Sequence, residues 1–260
     1  MSDTELLYEI KDGTGWITLN RPQARNALTF AMYEGLADIC RSVPDDGSVK
    51  CLVVMGAGEK AFAAGTDMTQ FRAFHSDKDA LDYEHRIDTV LSAVEACPVP
   101  IVAALSGACT GGGAGIAAAC DIRIATADLR FGFPIARTLG NCLSIANLSR
   151  LSQLMGAGRV REIILTARLV GADEALAAGL ISEIVADHRA LTARAGDLAN
   201  VLKAHAPITI RATREALRRL RLEGAKADDR DLVVAAYMSE DFKEGLEAFL
   251  GKRKPEWKGR

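Results

Sequence analysis

The chain has 260 residues, room for one large domain or two small ones, and enough to bury a core without staples. Hydrophobic residues make up 49% and charged residues 25%, which excludes wholesale disorder. Lys and Arg number 32 against 34 Asp and Glu, a formal charge of −2, so no global field holds nucleic acid or an anionic membrane. The six cysteines (40, 51, 97, 109, 120 and 142) form no CxxC pair and have no His-rich tract beside them, which argues against zinc and for a reduced, cytoplasmic chain. The start, MSDTELLYEI, carries acids where a signal peptide carries a basic segment and an apolar run.

LLYEI and WITL, around Asp12-Gly13-Thr14-Gly15, read as two strands and a turn. Thr29 predicts the N-cap of a helix with Met32, Leu36 and Ile39 on one face, ended by Pro44-Asp45-Asp46-Gly47. CLVVMG (51–56) is a continuous apolar run, as expected of a strand covered on both faces. A helix near 79–95 carries Leu81, Ile87, Val90, Leu91 and Val94, and PIVAAL (100–105) is again a buried strand. No charge falls between Ala96 and Cys120, but two prolines and five glycines make that stretch core, not a membrane span. DIRIAT (121–126) and Leu129–Phe131 complete the strands of an α/β core with parallel pairing. From about 145 helical patterns dominate, apart from LISEIV (180–185), and the chain ends in the basic segment KRKPEWKGR.

Thr110-Gly111-Gly112-Gly113-Ala114-Gly115-Ile116 follows a strand and opens a helix, where free amides favour negative charge. Alone it matches the TGxxxGI turn of short-chain dehydrogenases, which would imply NAD(P), or a glycine run that merely packs a helix on a strand. The dehydrogenase turn belongs on a first strand, however, and none of Tyr8, Tyr33, Tyr83 and Tyr237 has a lysine four residues on. LNRPQARNAL (19–28), KAFAAGTDM (60–68) and SGACTGGGAGIAAACD (106–121), in that order, together with FGFPIA (131–136), LTARLVGADEALAAGLISEIV (165–185) and FLGKRKPEW (249–257), resemble the enoyl-CoA hydratase/isomerase family, the crotonase superfamily.

The resemblance implies a crotonase-type spiral of repeated ββα units over residues 1–200, an acyl-CoA-binding core, and a helical trimerisation region over 201–260. It implies a trimer or dimer of trimers, and no cofactor beyond the coenzyme A of the substrate. It puts the backbone amides of Thr66 and Gly112 on the thioester oxygen, where preorganised donors stabilise an enolate. On that view the side chain at 66 matters mostly for shape. Arg25, Ala27, Ala64, Asp67 and Met68 fall in segments that border coenzyme A, and Phe249 and Lys252 match an aromatic and a lysine that hold it, often from a neighbouring subunit. Asp67 also has a plain structural reading.

The family's hydratases use two glutamates to activate water. Their positions here are Gly115 and Ile135, neither of which can carry a proton. Replacements are sought in Arg137, Asn141 and Ser144, in the loop beyond, and in Asp88 on the 79–95 helix. Each has an ordinary alternative, such as a solvated loop Arg, a turn Asn or an exposed helix Asp. Arg211, Arg214, Arg218 and Arg221 form a stripe at helical spacing, read as a solvated or intersubunit face because no aromatics accompany it. A catalytically inactive acyl-CoA-binding or assembly subunit is the rival to an enzyme.

Overall fold

The computed structural model describes residues 5–260. β1 (Leu6–Lys11) and β2 (Thr14–Leu19) form a hairpin whose turn needs positive φ at two successive residues, Asp12 (49°) and Gly13 (73°). The Thr29 hydroxyl accepts the Met32 amide and starts α1 (Phe30–Arg41), which buries Met32, Tyr33 and Leu36. β3 (Cys51–Gly56) and β4 (Ala61–Ala63) follow, then α2 (Asp77–Glu95), opened by a reciprocal capping pair, Ser76 and Asp79. The next units are β5 (Ile101–Leu105), β6 (Ala108–Thr110) and α3 (Gly112–Ala119), then β7 (Ile122–Thr126), β8 (Arg130–Gly132) and α4 (Ile135–Thr138). Beyond lie α5 (Ile145–Met155), α6 (Ala157–Thr166), β9 (Val170–Gly171), α7 (Ala172–Ala177), β10 (Glu183–Val185) and α8 (His188–Lys203). α9 (Pro207–Glu223), α10 (Arg230–Tyr237) and α11 (Glu240–Leu250) complete the chain.

The unit ββα therefore recurs. In the units of β3–β4, β5–β6 and β7–β8 the first strand enters a six-stranded sheet, ordered β1-β2-β3-β5-β7-β10, and the second enters a four-stranded one, ordered β4-β6-β8-β9. β2, β3, β5, β7 and β10 run parallel, as do β4, β6 and β8. Parallel pairing puts the C-terminal ends of β4, β6 and β8 on one side, and the segments leaving those ends build the cavity described below. The main core lies between the sheets and helices α1–α3, while α8 covers the other face of the large sheet with Leu191, Ala195 and Ala199.

Three expectations need correction. Leu81 is 70% exposed, because at about 100° per residue it falls off the stripe of Tyr83, Ile87, Leu91 and Val94. LISEIV is a strand only over Glu183–Val185; Leu180 and Ile181 are buried in the turn that leads into it. The arginine stripe on α9 is solvated only in part: Arg211 is exposed and Arg218 pairs with Glu215 of the same helix, but the other two arginines reach the body. Arg214 pairs with Asp121 at 2.7 Å and bonds the Cys97 carbonyl, while Arg221 pairs with Glu95 at 2.5 Å, so α9 is clamped to the body by its cations.

Arg123, nearly buried, donates to the carbonyls of Ala117, Cys120, Asp121 and Leu180 and so caps the negative end of α3. All six cysteines are free thiols and five are buried. Among the described residues no helix is long and apolar enough to cross a membrane.

Candidate active site

A cavity of about 300 Å³ opens where the chain leaves β4, β6 and β8. Its floor is main chain. Gly65 has φ +114° and Gly111 has φ +53°, conformations that side chains disfavour, and each delivers the next residue to the cavity. Leu28 pairs with the Thr66 segment in a parallel bridge: its amide donates to the Gly65 carbonyl (2.8 Å) and its carbonyl accepts the Asp67 amide (2.8 Å). That pattern turns the Thr66 N–H away from Leu28. Gly112 is the first residue of α3, so its N–H has no acceptor within the helix. Among the described residues neither amide has a hydrogen-bond partner. A Cβ on Gly112 would stand 1.7 Å from the Tyr33 hydroxyl, so only glycine lets the backbone lie there.

Behind the floor runs a chain of hydroxyls. The Thr66 Oγ1 lies 2.9 Å from the Tyr33 hydroxyl and 3.0 Å from that of Tyr83. Thr66 has one proton for two partners, so at least one tyrosine donates to it. Burial raises both phenols above their ordinary value, and both stay protonated donors. The side chain at 66, expected to matter mostly for shape, thus also joins two phenols by hydrogen bonds. Phe71 packs edge-on against Tyr83, with centroids 4.8 Å apart, and holds the ring in place.

The opposite wall comes from α2 and the segment after β8. Ile87, Leu91, Phe133, Ile135, Leu139 and Leu143 make it apolar, and Glu84, Asn141 and Asn147 add polar groups. Among the described residues Glu84 is the one carboxylate that lines the cavity. It is half-buried and makes no hydrogen bond or ion pair with another described residue. Burial, and then the charge of Asp88, raises its carboxyl above the usual range.

The residues expected from the sequence part into groups. Thr66, Gly112, Ala64, Met68 and Asn141 line the cavity, together with Gly115 and Ile135. Arg137 does not: it stands exposed on α4. Ser144 and Asp88 do not line it either. The Ser144 hydroxyl donates to Asp88 (2.9 Å) and caps α5 by accepting the Asn147 amide, while buried Arg150 lies 3.6 Å from Asp88. They are a brace behind the wall. Asp67 is held by Thr69 and by Arg21 at 2.9 Å, which keeps its carboxyl below the ordinary range.

Arg25 lines a second, smaller cavity with Lys60 and Gly58, and its carbonyl accepts the Ala64 amide (3.0 Å). Ala27 gives its carbonyl to Arg21. Phe249 is 82% exposed and Lys252 sits just past α11, and neither lines the main cavity.

Sequence reasoning missed Tyr33, Tyr83, Glu84 and Asn147. Tyr33 follows Met32 on the buried face of α1, and Glu84 lies three residues before Ile87, so helical spacing carried both signals.

The model of the enoyl-CoA hydratase/isomerase family matches residues 9–260. The chain is 32% identical to the short-chain-enoyl-CoA hydratase of Clostridium acetobutylicum over 259 residues, 98% of either chain. It is 31% identical to the crotonyl-CoA hydratase of Syntrophomonas wolfei, again over 98% of both. The crystal structure of an enoyl-CoA hydratase/carnithine racemase from Magnetospirillum magneticum superposes with a TM-score of 0.89 at 31% identity, covering 98% of this chain and 96% of that one. The chain belongs to the enoyl-CoA hydratase/isomerase family, with the mixed α/β fold of its solved members. The nicotinamide reading of the glycine turn gives way: that turn joins a short strand of the small sheet to α3, not the first strand of a doubly wound sheet.

Proposed function

We propose that the protein is an enzyme acting on an acyl-CoA thioester, whose carbonyl oxygen sits between the Thr66 and Gly112 amides. The observation that carries this reading is the convergence of two unpartnered main-chain donors, from different units of the fold, on one cavity with an apolar far wall. Charge moving onto the oxygen as an enolate forms meets both donors and the positive end of α3. The relatives whose names specify short-chain-enoyl-CoA and crotonyl-CoA support the substrate class. The reading needs no resident cofactor. Coenzyme A arrives with the substrate, along Arg25, Ala27, Ala64, Asp67 and Met68, and meets Phe249 and Lys252 of a neighbouring copy in a cytoplasmic trimer or dimer of trimers.

Gly115 and Ile135, where hydratases of the family carry glutamates, lower the capacity for ordinary hydration. A Cβ at Gly115 would meet only Leu91 at 3.4 Å and Asn147 at 3.9 Å, so space for a longer side chain exists. Calorimetry with a panel of acyl-CoAs tests binding, and failure to bind any of them overturns the reading. Crotonyl-CoA hydration by the natural protein at ordinary enzymatic rates would overturn the weight given to the missing carboxylates. Hydration gained by the Gly115→Glu, Ile135→Glu variant would support it. Binding with no turnover across the panel favours an inactive subunit.

A further inference from the structure

We infer that Glu84 moves the proton in this cavity, and that the reaction it serves is a shift of the double bond of an enoyl-CoA rather than addition of water. The inference rests on the acyl-CoA reading above. Three observations lead to it. Glu84 is the lining carboxylate; Asp88 is committed to Ser144 and Arg150, and Asp67 to Thr69 and Arg21. Glu84 has no ion pair or hydrogen bond to hold its charge in place, unlike those two. Its neighbours on α2 bracket the reacting region: Tyr83 bonds Thr66 at the oxyanion end, and Ile87 and Leu91 line the acyl side. Burial, and then the charge of Asp88, raises its carboxyl above the ordinary value, the direction that suits a general base.

One carboxylate is enough for this chemistry. With a 3-enoyl-CoA, Glu84 takes a proton from the carbon between the thioester and the double bond. The C–H electron pair becomes a carbon–carbon double bond, and negative charge collects on the thioester oxygen, held by the Thr66 and Gly112 amides. The Glu84 carboxyl then returns its proton to the far carbon of the dienolate. The electron pair on oxygen folds back, the double bond comes to lie beside the thioester, and the carboxylate is restored. Nothing is oxidised and no water is consumed. Addition of water needs, besides this, a group to hold and activate the water, and Gly115 and Ile135 offer none.

The test uses the full-length protein, Glu84→Gln and Glu84→Asp. Deuterium uptake at the α-carbon of butyryl-CoA in heavy water reads the first proton transfer, and conversion of 3-hexenoyl-CoA to its conjugated isomer reads both. Glu84→Gln is expected to lose about 10²–10⁴-fold in both while still binding butyryl-CoA, and Glu84→Asp to keep a part. A merely structural role would weaken binding along with exchange. Should Glu84→Gln fail to fold, exchange by the natural protein against Glu84→Asp carries the test. Exchange and isomerisation undiminished in either variant overturn the inference. Binding by the natural protein with no exchange overturns it too but leaves the acyl-CoA reading standing, whereas absence of binding overturns both.

Discussion

On one side of the cavity Thr66 and Gly112 present backbone amides set by Gly65 and Gly111; on the other, α2 and the segment from Phe133 to Leu143 present side chains. The floor is fixed by strand ends. β4 and β6 are hydrogen-bonded neighbours, so the amides beyond them keep their separation whatever side chains surround them. The wall is fixed by ion pairs. Glu95 at the end of α2 meets Arg150 of α5 (2.9 Å) and Arg221 of α9 (2.5 Å), and Arg150 reaches on to Asp88. A main-chain floor tolerates wide variation in sequence as long as its glycines remain. A side-chain wall can exchange one proton-carrying group for another without disturbing the floor.

Breaking the wall's anchor has the largest expected effect. Glu95→Ala leaves two arginines, 2% and 5% exposed, without their shared carboxylate. Stranding buried charge costs about 3–5 kcal/mol, read as a lower denaturant midpoint at unchanged slope. An unchanged midpoint would mean that the wall does not depend on this pair. Next comes the floor. Gly112→Ala drives a methyl into the Tyr33 hydroxyl, 1.7 Å from the ideal Cβ, and displaces the amide. Loss of one such donor costs about 2.7–4 kcal/mol of transition-state stabilisation, measured as turnover at saturating acyl-CoA. A variant that turns over normally would remove Gly112 from the oxyanion role.

The same division decided what could be read in advance. The floor was legible through the motifs around Gly65 and Gly111, where the backbone takes positive φ, although the short strands AFA and ACT that carry it were not read in advance. The wall was not. A glutamate in the first turns of a helix reads as solvated, and only the position of α2 over the small sheet's strand ends turns Glu84 inward. Asp88, one turn on, was singled out instead, since its engagement by Arg150 depends on α5, which lies far away in sequence. Arg214 and Arg221 of α9 misled for a like reason: their partners, Asp121 and Glu95, lie far away in sequence.

Between floor and wall stands the hydroxyl chain, and a smaller change probes it. Tyr33→Phe removes one of the two partners of Thr66 Oγ1 and leaves the Tyr83 bond intact. About 1 kcal/mol of stability should go with that bond, and turnover should fall by less than the loss in Gly112→Ala. Equal losses in the two variants would mean that the phenol, not the amide, stabilises the enolate.

The smallest effect lies at the rim of the floor and depends on pH. Hydrogen bonds from Thr69, and then the Arg21 guanidinium, hold the Asp67 carboxyl below its ordinary value. A carboxyl with a lower pKa in the folded than in the unfolded chain adds stability that is fully present above the unfolded value, about 3.9, and disappears as the pH falls through the folded one. The wall works in the opposite sense, because the Glu84 carboxyl is raised and its charged form disfavours folding. The difference in melting temperature between the natural protein and Asp67→Asn should therefore be greatest near neutral pH and shrink as the pH drops below about 4. A difference that stayed constant over that range would show that Asp67 holds the rim through shape alone, without its charge.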